Sequence, residues 1–130
     1  MESDYYTIIC DIRPGSEFTI NGNDYSSLVW NDSDSSKPTE QEILNKILDN
    51  ENILKYEILR IERNKKLLDS DKYMIIDFPN MNSSIVDSFK IYRQELRDLP
   101  QNVNISNVTI TYDDVEPLSG IIWPTKPTVN

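Results

Sequence analysis

Two stretches of this chain can bury their apolar residues together only as helices. In the first, Ile43, Leu44, Ile47, Leu48, Leu54, Ile58, Ile61 and Leu68 recur at gaps of three, four and seven that gather on one stripe of a helix. In the second, Ile85, Phe89, Tyr92, Leu96 and Leu99 stand four, three, four and three apart. Thr39 is a good N-cap for the first run, with Glu42 three residues on to complete a capping box. Pro100 stops the second run. The pair predicts an antiparallel helical hairpin that buries Leu54, Ile58, Ile61 and Leu68 against Ile85, Phe89, Tyr92 and Leu96. Each such side chain contributes roughly 1.5–3 kcal/mol on full burial. Asn50 and Asn52 weaken the middle of the first run and mark a place for a kink. Unbroken, that run is on the order of 45 Å long, more than a domain of this size needs, and two outcomes are open for the excess: it protrudes, or it packs on a partner. Glu51–Lys55 and Glu62–Lys66 are i,i+4 pairs in the favourable order on its polar side.

Strand signals flank the helices. Tyr5 to Ile12 is rich in β-branched and aromatic residues and reads as a strand. Arg13-Pro14-Gly15-Ser16 breaks it, Glu17 to Ile20 alternates, Asn21-Gly22-Asn23-Asp24 signals a tight turn, and Tyr25 to Trp30 follows as a third strand. These predict a small antiparallel meander that needs cover on its apolar face. Tyr73 to Phe78 reads as an extended apolar connection, turned by Pro79 and Asn80. Beyond Pro100, Val108 to Tyr112 and Gly120 to Trp123 read as a hairpin with an acidic turn. Two placements are open for it: an extension of the N-terminal sheet, or an arm. The fold class is therefore α+β, a small antiparallel sheet with a two-helix hairpin. The 130 residues make one domain, with a strand-rich head (1–36), a helical hairpin (37–100) and C-terminal strands with an extended Trp-Pro tail (101–130).

Composition narrows the chemistry. There is no histidine, so triads and histidine–metal sites are excluded and a general base needs a strongly shifted carboxylate or lysine. The single cysteine, Cys10, rules out an internal disulfide and a multi-cysteine zinc site, and its apolar surroundings predict a buried, inert thiol. The formal net charge is −9, and no segment carries the basic excess that neutralising phosphates requires, so nucleic acid is not an expected partner. Neither a signal peptide nor a membrane span is expected. Asn31, Asp32 and Asp34 resemble the start of a calcium loop, but position twelve counted from Asp32 is Ile43 and the central glycine is missing. The acid pairs Asp32/Asp34, Asp69/Asp71 and Asp113/Asp114 lie in turns, where aspartate bonds to the backbone. With only Gly15, Gly22 and Gly120, there is no phosphate loop. No catalytic, cofactor-binding or metal site is assigned.

The candidate binding residues are Arg60 and Arg63 on the first helix and Arg93 and Arg97 on the second, where both pairs can flank one seam. They have two readings: pairing within the chain to Glu57, Glu95 and Asp98, or bidentate capture of a partner's carboxylates. Trp30 and Trp123 likewise read as core or as interface anchors.

The order of segments resembles a known family. A strand-rich head ending near a tryptophan leads into Lys37-Pro38-Thr39-Glu40-Gln41-Glu42. Arg60 to Asp71 (RIERNKKLLDSD) follows, then Tyr92 to Pro100 (YRQELRDLP), then Trp123-Pro124. This is similar to the tail assembly chaperone and tail-fibre assembly proteins of tailed bacteriophages. The likeness covers most of residues 37–100 and the final Trp-Pro. Tyr73 stands near the place where the family often has a tryptophan after the acid that ends the first helix, and the strand at 108–112 adds length before Trp-Pro. The resemblance implies a non-enzymatic protein that binds a tail fibre or other tail component, with Trp30, Arg60, Arg63, Arg93, Arg97 and Trp123 as contacts. It places the protein in the host cytoplasm during assembly. The alternative is a structural subunit that remains in the virion tail.

Overall fold

The computed structural model describes residues 4–129, in two compact units with the boundary after Glu51. In the first, helix α1 (Tyr5–Ile12) precedes a hairpin of β1 (Phe18–Asn21) and β2 (Asp24–Trp30). The expected strand over residues 5–12 is thus a helix. Tyr5, Ile8, Ile9 and Ile12 follow helical spacing and put the buried side chains on one face. Asp4 caps the N-terminus, its Oδ1 accepting from the Thr7 amide at 2.8 Å. Cys10, on the other side of this helix, is exposed rather than buried. The hairpin turns where expected, with Asn21 paired to Asp24 and Gly22 at φ +57°.

Helix α2 (Glu40–Ser70) runs unbroken past Asn50 and Asn52, and its N-terminal turns belong to the first unit. Thr39 Oγ1 accepts from the Glu42 amide at 3.1 Å. The other half of the expected capping box is replaced: the Glu42 carboxylate accepts from Nη1 and Nη2 of Arg13, at 2.6 and 3.2 Å. Arg13 also donates to the Ser36 carbonyl, which fixes the end of α1 against the approach to α2. Tyr5, Ile8, Ile9, Leu28 and Ile43 form the core between them.

The second unit begins with the rest of α2. A 3-10 turn (Asp71–Met74) follows, then α3 (Ser83–Asn102) and the two-residue strands β3 (Thr109–Ile110) and β4 (Leu118–Ser119). The expected extended stretch over 73–78 is this turn and the bends after it, tied down by Tyr73, whose ring stacks on Phe89 at 4.3 Å and meets Phe78 edge-on at 5.1 Å. Asn82 caps α3, its side-chain oxygen accepting from the Ile85 amide at 2.9 Å. Pro100 does not stop α3. It lies in the last turn, where its missing N–H costs one bond, and the Val103 amide closes the end on the Leu99 carbonyl at 3.0 Å. Among the described residues β3 and β4 pair only with each other, so the C-terminal hairpin forms its own sheet and does not extend the N-terminal one.

The two helices do pack antiparallel. Arg63 reaches the Arg97 carbonyl at 3.4 Å, while Arg93, one turn earlier on α3, reaches the Leu67 carbonyl at 2.7 Å, one turn later on α2. The face that α2 turns inward is not the one its leucine pattern predicts. Leu59 is fully buried, Lys55 and Ser70 are buried, and Tyr56 and Leu67 pack on the core. Leu54, Ile61 and Leu68 are 38%, 56% and 72% exposed. At 3.6 residues per turn they lie about 180° from Leu59, Arg63 and Ser70. Of the expected α2 contacts only Ile58 packs against the core, from its edge, whereas on α3 Phe89, Tyr92 and Leu96 are buried as expected.

This assignment has a direct consequence for stability. Leu59→Ala should cost about 2–5 kcal/mol, whereas Leu68→Ala should stay within about 0.5 kcal/mol of the parent. Urea unfolding of both variants checks it, and similar losses at the two positions would contradict it.

Candidate protein-binding surface

Trp123 is the residue about which the second unit closes. Its ring packs both against the cluster of Leu59, Val108 and Leu118 and against that of Phe89, Tyr92 and Leu96. The Lys66 ammonium lies 4.8 Å from the ring centre, a cation–π contact that takes the place of the expected Glu62–Lys66 pair. Glu62 instead accepts from Lys65 at 2.8 Å. Beyond Trp123, Pro124 and Pro127 favour extended backbone. Lys126 ion-pairs with Asp69 at 2.9 Å and sits over the Tyr73 ring, and Val129 packs on the aromatic cluster. The tail is thus a strap along the hairpin of α2 and α3.

An open groove of about 580 Å³ lies where this strap leaves the β3–β4 hairpin. Its walls are Glu62 and Lys66 of α2, the stretch 115–121 and Trp123. Thr111 shapes its rim, donating its hydroxyl to the Glu116 carbonyl, while its amide donates to the Pro117 carbonyl at 2.9 Å. Asp113 accepts from the amides of Val115 and Glu116 at 2.7 and 3.0 Å, and these bonds hold its carboxyl below the usual range. With Thr111 bonded to Pro117 and Ile110 opposite Leu118, the alternation of an antiparallel ladder turns the N–H and C=O of Leu118 away from β3. That edge of β4 carries no strand among the described residues. A second hollow of about 490 Å³ adjoins, bounded by Lys65, Asp69, Tyr92, Pro124 and Lys126.

Gly120 shapes the groove floor. Its φ is +86°, and a Cβ there would stand 2.4 Å from the Asn107 carbonyl oxygen. Any side chain at this position pushes β4 away from the backbone before β3.

The arginines and tryptophans singled out from the sequence are dispersed. Arg93 is an internal clamp, bonding the Leu67 carbonyl and Ser70 Oγ and pairing with Asp71 at 2.8 Å. Arg63 lies at the same seam, bonded to Asn64 and to the Arg97 carbonyl. Arg60 is exposed over the Tyr56 ring, and Arg97 is exposed beside Gln94. None of the four pairs with Glu57, Glu95 or Asp98 among the described residues. Trp30, in the first unit, stacks on Phe18 at 5.7 Å and donates its indole N–H to the Ser35 carbonyl. Only Trp123 lines the groove. Lys66, Glu62 and the free edge of β4 escaped the sequence reading. The first two resembled an ordinary surface pair, and strands of two residues leave almost no alternation to read.

Asp32 accepts from Ser35 Oγ, and Asp69 and Asp71 are taken up by Lys126 and Arg93. No helix among the described residues is long and apolar enough to cross a membrane. No group of three or more potential metal-ligating side chains occurs among them.

A helical hairpin strapped by an extended tail, with an open groove and a free strand edge, is the geometry of a small protein-binding module. Residues 56–128, all within the second unit, match the family described as phage tail assembly chaperone protein, and the chain belongs to that family. No curated protein and no solved structure matches it.

Two outcomes test this geometry. Gly120→Ala should destabilise the second unit by about 1–3 kcal/mol, because left-handed backbone and a steric clash coincide; a thermal shift near zero would contradict the close approach. The strap should also loosen at both pH extremes. The hydrogen bond from Lys126 lowers the Asp69 carboxyl below its usual 3.8, and the same pair raises Lys126 above its usual 10.5. The contribution of Asp69 is complete above 3.8 and is lost as pH falls through its lowered value in the folded protein. That of Lys126 is complete below 10.5 and is lost as pH rises through its raised value. Trp123 emission in a Trp30→Phe background should hold steady between those limits and shift outside them, and Lys126→Met should abolish the shift.

Proposed function

We propose that this chain assists tail assembly by holding a tail fibre or related tail component through the groove beside β4, without chemistry on its client. The observation that carries the reading is the unpartnered edge of β4 bordering an open groove inside the segment that matches the chaperone family. A folding fibre subunit exposes edge strands and apolar surface that promote aggregation before assembly. An edge strand laid along β4 finds backbone partners in the outward N–H and C=O of Leu118, with Trp123 as an apolar stop and Glu62 and Lys66 as flanking charges. The strongly acidic chain then helps to keep the pair soluble. The setting is the host cytoplasm during assembly, and release of the client leaves the chaperone outside the particle.

The test is co-expression with a tail-fibre gene, scored as yield of soluble trimer. Yield should fall several-fold without this protein, and about as far with Val115→Asp/Ser119→Arg, which fills and charges an exposed wall of the groove. If the folded variant rescues as well as the parent, the groove is not the binding site. If the fibre is soluble without the protein, the client assignment fails. Abundant stoichiometric protein in purified virions would favour a structural subunit instead.

A further inference from the structure

We propose that the outward face of α2 in the second unit is covered by the same face of a second copy of this chain, running antiparallel. The face has no role in the core. Leu54, Ile61 and Leu68 stand exposed on the side opposite Leu59 and Ser70. They lie seven residues apart, the repeat that keeps a seam continuous between two supercoiled helices.

The occupant follows from symmetry and charge. Leu54 and Leu68 lie seven residues to either side of Ile61, and Glu57 and Lys65 lie four to either side. A two-fold axis through Ile61 therefore sets Ile61 on Ile61, Leu54 on Leu68, and Glu57 opposite Lys65 at both ends of the seam. A parallel pair sets Glu57 on Glu57 and Lys65 on Lys65, and like charges facing across an interface oppose association. Both side chains are available. Glu57 is exposed with no ion pair among the described residues, and the Lys65 side chain is 63% exposed, held only by its i,i+3 contact to Glu62. Such an exposed pair is easily exchanged for another. One helix face is small beside the interface of a permanent dimer, so the dissociation constant is expected on the order of 10 μM. The inference does not rest on the proposed client, and its test needs none.

Sedimentation equilibrium of the full chain should show a monomer–dimer equilibrium in that range. Ile61→Lys, at an exposed position, should give a monomer with an unchanged circular dichroism spectrum. Glu57→Lys and Lys65→Glu should each weaken the dimer about tenfold, since each turns two attractive pairs repulsive, and the double swap should restore it. In a Cys10→Ser background, mixing Leu54→Cys with Leu68→Cys chains should yield the mixed disulfide in excess over either like pair. A parent that stays monomeric well above this concentration overturns the proposal. So does a dimer indifferent to Ile61→Lys or one that cross-links Leu54 to Leu54.

Discussion

The second unit depends on Trp123. A hairpin as small as β3–β4 cannot stand alone in water, and two helices with one shared seam bury little. The indole joins the two, belonging at once to the cluster beneath the strands and to the aromatic cluster under α3. Lys66 covers one face of the ring, and the ion pair of Lys126 with Asp69 holds the chain that follows. The groove beside β4 exists because this side chain holds strap and hairpin at a fixed distance from α2. Stability and the shape of the groove therefore share one residue, and the segment that matches the chaperone family runs from Tyr56 to Thr128, within the strap.

The leucine pattern of α2 shows how sequence periodicity misleads when a helix has two apolar faces. Leu54, Ile58, Ile61 and Leu68 form the cleaner stripe, and their spacing predicts the inner face. The inward face carries Lys55, Leu59, Arg63, Lys66, Leu67 and Ser70, whose polar ends hide its apolar character in a one-letter reading. Lysine and arginine stems cover apolar surface while their heads find partners: Lys66 over Trp123, and Arg63 on the Arg97 carbonyl. Nothing local distinguishes such a face from a solvated one. The chain ends up with a cryptic inner face and an obvious outer one, on which Leu54, Ile61 and Leu68 stand exposed.

Much else was legible. The turn at Gly22, the Thr39 cap, the α3 core of Phe89, Tyr92 and Leu96 and the antiparallel sense of the helices all follow from spacing and turn chemistry. The failures have physical causes. Residues 5–12 are rich in β-branched side chains, yet their spacing is helical, and Asp4 and the packing of Ile8 and Ile9 decide the outcome. Pro100 sits close enough to the end of α3 for the helix to absorb it. Arg93 does bond within the chain, but not to Glu57, Glu95 or Asp98, because its partners, a helix-end carbonyl, Ser70 and Asp71, lie more than twenty residues away in sequence. The family resemblance pointed to the function, but the groove could be seen only once the strap was placed.

Native-state hydrogen exchange on Trp123→Ala tests the role of this residue most directly. Because the indole supports two clusters, amides near Val108 and Leu118 and amides near Phe89 and Tyr92 should lose protection together, while those of α1 keep theirs. Loss confined to residues after 120, with both clusters as protected as in the parent, would contradict it.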